Sequence, residues 1–180
     1  MNKEYEVTIL EIDKTFEEKL IALGAKKVSD SMQRRYVYDT IPVNPNKWIR
    51  LRTNGTKTTL TVKEIKDKSA IGGTDEIEIT VDSLETTNEL LESLGFKSRN
   101  YQENYRKMYV LNNVEISIDS WPMIPTYAEI EGKSEQDVLD TLKLLGYTKK
   151  DYTTLDVESI YKLYNIDILK IKELKFEENK

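Results

Sequence analysis

Lys47-Trp48-Ile49-Arg50-Leu51-Arg52-Thr53-Asn54-Gly55-Thr56-Lys57-Thr58-Thr59-Leu60-Thr61-Val62-Lys63-Glu64-Ile65 is the stretch that decides the fold. Two β-like runs, Lys47–Thr53 and Thr58–Ile65, are joined across Asn54-Gly55, a strong hairpin signal. Alternate residues of a strand share a face. Arg50 and Arg52 therefore lie together, opposite Ile49 and Leu51, and Thr61 and Lys63 lie opposite Leu60 and Val62. The hairpin has one apolar face and one cationic face.

The same alternation runs outward along the chain. Glu4 and Glu6 oppose Tyr5, Val7 and Ile9, while Glu76 and Glu78 oppose Ile77, Ile79 and Val81. Glu129 and Glu131 oppose Ala128 and Ile130. Tyr101–Leu111 and Val114–Ser120 form a second hairpin across Asn112-Asn113, and Glu115, Ser117 and Asp119 oppose Val114, Ile116 and Ile118. Arg34–Tyr38 is a further short β-rich run. Pro42 and Pro45 mark Ile41–Asn46 as a loop, as Pro122 and Pro125 do for Trp121–Pro125. Amphipathic helices are predicted over Lys14–Leu23, Leu84–Leu94 and Ser134–Leu145, each closed by glycine. Leu84, Leu90, Leu91 and Leu94 are expected on one buried face, and Val138, Leu139, Leu142 and Leu145 on another. Ser134 and Asp137 resemble a capping box. A fourth helix is expected over Asp156–Tyr164, and Ile166–Phe176 is apolar but readable as helix or strand. The fold class is α+β: an antiparallel sheet of about eight strands, closed into a barrel, with helices packed outside it. The chain reads as a single domain, 1–180, with its tail 156–180 packed on the rest.

On one strand, charged residues at alternate positions are an ordinary wet sheet face. On six strands they are Glu pairs and Arg or Lys pairs. If the helices cover the apolar face, those charges point inward, where they must pair or hold ions. Carboxylate pairs suit a hard cation, and Arg and Lys suit an anion; together they suit a metal–phosphate complex.

Composition narrows the chemistry. The 180 residues include no Cys and no His, which removes thiolate mechanisms, Ser-His-Asp triads and Cys/His zinc sites. A metal would need oxygen ligands, and acid–base work falls to Asp, Glu, Lys or Tyr. Charged residues are 33% of the chain, against about 25% ordinarily. A net charge of −5 argues against a nucleic-acid or membrane-surface partner. No apolar run approaches the roughly 20 residues of a membrane span, and the N-terminus lacks the apolar core of a signal peptide, so a cytoplasmic protein is expected. There is no P-loop, so phosphates would be held by side chains.

Seven motifs in order resemble the CYTH superfamily, the triphosphate tunnel metalloenzymes, over nearly the whole chain. They are Glu4-Tyr5-Glu6, Trp48–Arg52, Leu60–Lys63, Glu76-Ile77-Glu78, Tyr105–Tyr109, Ile116–Asp119 and Tyr127–Glu131. The resemblance implies an eight-stranded tunnel and a divalent-metal-dependent enzyme acting on a small-molecule triphosphate such as ATP, as a monomer or homodimer. It implies Mg²⁺ or Mn²⁺ at Glu4, Glu6, Asp119, Glu129 and Glu131. It implies substrate contacts from Arg50, Arg52, Lys63, Arg106, Arg35, Glu76 and Glu78, with Arg50, Lys63 and Arg106 catalytic. The leading expectation is a class IV adenylate cyclase-like enzyme, converting ATP to cyclic AMP and pyrophosphate. A triphosphatase of the thiamine triphosphatase kind and a non-catalytic phosphoanion sensor are the alternatives. The chain departs from the pattern at two basic positions, which are Thr8 and Asn104 here. Arg34, Arg35, Lys47 and Lys107 are the candidates to make good the missing charge.

Overall fold

The computed structural model describes residues 1–177; the end of the tail expected to pack on the domain, 178–180, lies outside the described residues. The hairpin across Asn54-Gly55 is present with the expected bounds, as β3 (Lys47–Thr53) and β4 (Thr58–Ile65), paired from Lys47↔Glu64 to Thr53↔Thr58. The other strands are β1 (Asn2–Ile9), β2 (Lys26–Asn44), β5 (Thr74–Val81), β6 (Ser98–Leu111), β7 (Val114–Ser120) and β8 (Tyr127–Gly132). They run in the order β2-β3-β4-β5-β1-β8-β7-β6, and β6 pairs back onto β2, which closes an antiparallel barrel. A two-residue β9 (Glu173–Leu174) adds parallel to β6 beyond the end of β7. Asn112 and Asn113 both take positive φ, 51° and 67°, as a two-residue hairpin turn matching the strand twist requires.

Closure depends on β2, and β2 is where the sequence reading falls short. It spans 19 residues rather than Arg34–Tyr38. Its first half carries Ser29, Asp30, Ser31 and Gln33, which have no strong strand preference, yet each pairs with β6. Strand length here follows from a partner distant in sequence. The strand also continues through Ile41–Asn44, expected as loop, and its register against β3 shifts between Asp39 and Asn44. Pro42 sits in that irregular stretch, where a missing N–H costs no ladder bond.

The helices are α1 (Lys14–Ala22), α2 (Leu84–Ser93), α3 (Glu135–Leu144) and α4 (Val157–Leu163). Each starts on an Asp or Ser whose side chain accepts from a backbone N–H of the first turn: Asp13, Ser83, Ser134 and Asp156. α1 and α3 cover the outer face of β1, β7 and β8, burying Val7, Ile9, Phe16, Leu20, Ile116, Ile130, Val138 and Leu142 in one core. α2 covers β3, with Leu84 and Leu91 against Tyr38, Ile49 and Leu51. Leu90 and Leu94, expected on that face, are 57% and 64% exposed, because the buried stripe of this short helix follows the seven-residue spacing from Leu84 to Leu91. The ambiguous segment after α4 resolves into a 3-10 turn at Ile168–Lys170 followed by β9. α4 and this turn pack on Trp121 and Tyr127, so the tail forms a third core over the β7–β8 connection. These three apolar cores thus lie outside the barrel wall or at this end of it, and the interior is lined mainly by polar side chains.

Candidate functional site

The interior holds a cavity of about 330 Å³. Eleven of the twelve residues singled out by sequence line it: Glu4, Glu6, Arg35, Arg50, Arg52, Lys63, Glu76, Glu78, Arg106, Glu129 and Glu131. Asp119 is the exception. It is fully buried behind the cavity wall, where its Oδ1 accepts from Arg106 Nε at 2.8 Å and from Asn104 Nδ2, and its Oδ2 accepts from Ser117 Oγ at 2.6 Å.

The charges separate into two poles. Glu4, Glu6 and Glu131 each place a carboxylate oxygen within 4.8 Å of the others. Burial drives the Glu6 carboxyl well above the carboxylate range, and Glu129 and Glu4 add to the rise. Glu131 is pushed up to about 7, by burial first and then by Glu4. Three carboxylate side chains crowded this closely are the chemistry of a site for a hard divalent cation. Lys63 reaches this pole, donating to Glu4 at 2.5 Å with Glu76 at 3.7 Å.

The other pole is guanidinium. Arg35, Arg50, Arg52 and Arg106 lie close enough that Arg52 is driven well below the usual arginine range, first by Arg50, then by burial, then by Arg106 and Arg35. Arg106 is driven the other way: despite burial, Asp119 and Glu129 raise it. Glu129 Oε2 accepts a hydrogen bond from Arg106 Nη2 at 2.5 Å, and Glu129 also acts on Glu6, so it links the two poles. Glu78 sits 3.7 Å from Arg50 and accepts from Thr61 at 2.8 Å.

Structure also sorts the candidate replacement cations. Arg35 faces inward, 4% exposed. Lys47 pairs with Glu64 at 3.2 Å, and Lys107 with Glu17 at 2.7 Å, both away from the cavity; Arg34, its neighbour on β2, is exposed. Thr8 is buried and borders a separate space of about 30 Å³ with Glu4 and Glu6, not the main cavity. It is walled off by the tail: Thr8 and Thr153 exchange backbone N–H···O bonds of 2.8 Å. The segment Thr154–Glu158, with Ile168 and Leu169, forms one wall of the cavity. Sequence reasoning missed this wall, because its irregular part carries no periodic signal and the helix expected over Asp156–Tyr164 does not reveal what it packs against. It also missed Asn100 and Gln102, inward neighbours on β6 whose polarity at alternate positions was the available clue.

The CYTH domain profile matches residues 2–155. The chain belongs to the CYTH family. Among solved structures, the CYTH chain is similar to the PH1012 protein of Pyrococcus horikoshii OT3, with 26% identity, 85% of this chain and 96% of that one covered, and a TM-score of 0.74. Two more distant structures share the fold. A candidate adenylate cyclase from Vibrio parahaemolyticus is 12% identical, with 89% and 98% covered and a TM-score of 0.75. A candidate adenylyl cyclase from Hippeastrum, described as having a dominant triphosphatase activity, is 16% identical, with 93% and 99% covered and a TM-score of 0.58. No curated protein matches the chain in sequence. Among the described residues, no helix is long and apolar enough to cross a membrane.

Proposed function

We propose that this CYTH protein is a divalent-metal-dependent enzyme acting on a triphosphate compound inside its barrel, with conversion of ATP to cyclic AMP and pyrophosphate as the leading reaction. The observation that carries this reading is the two-pole interior: a carboxylate triad beside four convergent guanidiniums in one cavity. Glu4, Glu6 and Glu131 fit Mg²⁺ or Mn²⁺, since their oxygens are hard ligands and their crowding is relieved by a cation. When bound, that cation neutralises phosphate charge and lowers the pKa of the attacking hydroxyl. Arg50, Arg52 and Lys63 hold the phosphate chain, and Arg106 stabilises charge developing on the reacting phosphoryl group and its leaving group. Asp119 and Glu129 aim Arg106 through its Nε and Nη2. Val37, Trp48, Ile65 and Leu155 give the cavity an apolar border for the organic part of the substrate.

Hydrolysis of the terminal phosphate is the second reading, favoured by the placement of the charged groups: they act on the phosphate chain and need neither base nor ribose. Incubation with ATP, tripolyphosphate and thiamine triphosphate, with Mg²⁺, Mn²⁺ or chelator, tests both. Cyclic AMP and pyrophosphate support the cyclase, and orthophosphate supports the triphosphatase. Tight binding without turnover of any of the three refutes the enzyme and leaves a phosphoanion sensor.

A further inference from the structure

β5 outruns its neighbour β1. Its first residues, Thr74, Asp75 and Glu76, pair with Glu4, Lys3 and Asn2. Ile77–Val81 continue with β4 on one side and, among the described residues, no strand on the other. No turn or loop backbone bonds to these five residues either, so one row of their N–H and C=O groups is open. Ile77 and Ile79 point out of the barrel and are 51% and 54% exposed. The third outward side chain, Val81, packs on the α2 core with Leu60 and Val62 of β4, so apolar cover stops short of the two isoleucines. The barrel has a second open edge, and that one is guarded. Lys26–Gln33 of β2 pair with β6 alone, because β3 joins only at Arg34. This stretch carries Lys26, Lys27 and Asp30 and an irregular register between Lys27 and Ser29. Charge and bulges of this kind block the addition of another strand. Ile77–Val81 has neither lysine nor arginine, a regular register against β4 and β-branched residues at four of its five positions. Its one charge, Glu78, faces the cavity. The β5 edge is therefore an unguarded template for strand pairing.

We propose that Ile77–Val81 is a self-association surface, onto which β5 of a second copy adds antiparallel about a two-fold axis at Ile79. The sequence is complementary to itself in that register: Ile79 meets the second copy's Ile79, Ile77 meets Val81, and Glu78 meets Thr80. The outward residues then form a row of β-branched cross-strand pairs, which stabilise a sheet, and no charge faces its like. An axis at Glu78 sets that carboxylate against itself, and an axis at Thr80 sets Glu78 against Asp82; both are like-charge pairs that destabilise the ladder. With the axis at Ile79, Glu76 and Asp82 face each other only beyond the five residues, where they end the pairing. A second copy suits this edge because two-fold pairing consumes both edges at once and leaves none for further addition. Five residues per copy make a smaller interface than the about 1,200–2,000 Å² of standard complexes, so the dimer dissociates in the micromolar range. The two barrels share one continuous sheet, and Glu78 of each cavity wall lies one residue from the axis.

The experiment is sedimentation equilibrium of wild type and Ile79→Lys across the micromolar range, with oxidative cross-linking of two single-cysteine variants. The chain has no cysteine of its own, so each cross-link reports one position. Ile79→Cys sits at the axis, and Val28→Cys, 62% exposed on the guarded edge, is the control for random collision. Opposed residues of an antiparallel pair have Cα atoms about 4.5–5.5 Å apart, within the span of a disulfide. The expected result is a concentration-dependent wild-type dimer and at least tenfold weaker association of Ile79→Lys, with its monomer melting as wild type does. Ile79→Cys should cross-link at least tenfold faster than Val28→Cys. Wild type that stays monomeric throughout overturns the proposal and leaves the edge to an extended segment of another protein. A dimer that Ile79→Lys does not weaken, or equal cross-linking of the two cysteine variants, overturns it as well. Should Ile79→Lys melt lower, the cysteine comparison decides. Turnover enters none of these readouts, so the outcome is independent of the triphosphate reading.

Discussion

Replacing Asp119 with Asn tests how the barrel interior is organised, because Asp119 was expected among the metal ligands and the structure sets it behind Arg106. The variant keeps the size of the side chain and one oxygen, so the packing around Ser117 and Asn104 is retained while the charge is removed. Breaking a buried ion pair by removing one partner costs about 3–5 kcal/mol. Arg106 keeps a second carboxylate, Glu129, at 2.5 Å, so the cost falls at the lower end, about 3 kcal/mol. For a chain of this length that corresponds to a fall of about 6–12 °C in melting temperature. Arg106 then swings on a single carboxylate, and turnover falls by about 10²-fold through misplacement. The stabilisation by Mg²⁺ or Mn²⁺ should survive, since Glu4, Glu6 and Glu131 are untouched. Thermal melts with and without the cation, together with a product assay, read all three quantities. Loss of the cation-induced shift in melting temperature, with little change in the apoprotein, would refute the positioning role and make Asp119 a ligand.

Three further outcomes follow from the same geometry. Glu6→Gln with Glu131→Gln should abolish divalent dependence while leaving the apoprotein as stable as wild type or more so, because it relieves carboxylate crowding; a retained cation-dependent melting shift would count against the triad. Thr8→Lys places a longer side chain in a space of about 30 Å³ beside Glu4 and Glu6, so it should lower stability by about 1–3 kcal/mol and weaken divalent-cation binding rather than tighten triphosphate binding; tighter triphosphate binding with intact stability would refute this. Glu17 accepts from Lys107 at 2.7 Å and Tyr109 at 2.5 Å, and these bonds lower its carboxyl pKa, so its contribution is present above the ordinary value of 4.5 and is lost as the pH falls through the lowered one. Glu17→Gln should therefore cost about 1 kcal/mol at neutral pH and converge with wild type in acid; parallel stability curves across that range would show that the charge is not what matters.

Much of this protein is written in local order. The two-residue period of Glu4-Tyr5-Glu6, Arg50-Leu51-Arg52 and Glu129-Ile130-Glu131 separates apolar from charged faces because the pleat of a strand does so at every step. The hairpin bounds, the helix starts at Asp13, Ser83, Ser134 and Asp156, and the absence of Cys and His are equally local, and they set the α+β class and an oxygen-only chemistry. What tertiary structure decided is who meets whom across the closed interior. Carboxylates occupy similar positions on several strands, among them Glu4, Glu6, Glu76, Glu78, Glu115, Asp119, Glu129 and Glu131. Only the stagger of strands around the barrel gathers Glu4, Glu6 and Glu131, gives Asp119 and Glu129 to Arg106, and leaves Glu78 to Arg50. The length of β2, the Arg35–Arg52 opposition and the tail segment against Thr8 have the same origin. Each is fixed by pairing between residues far apart in the chain, which no local period encodes.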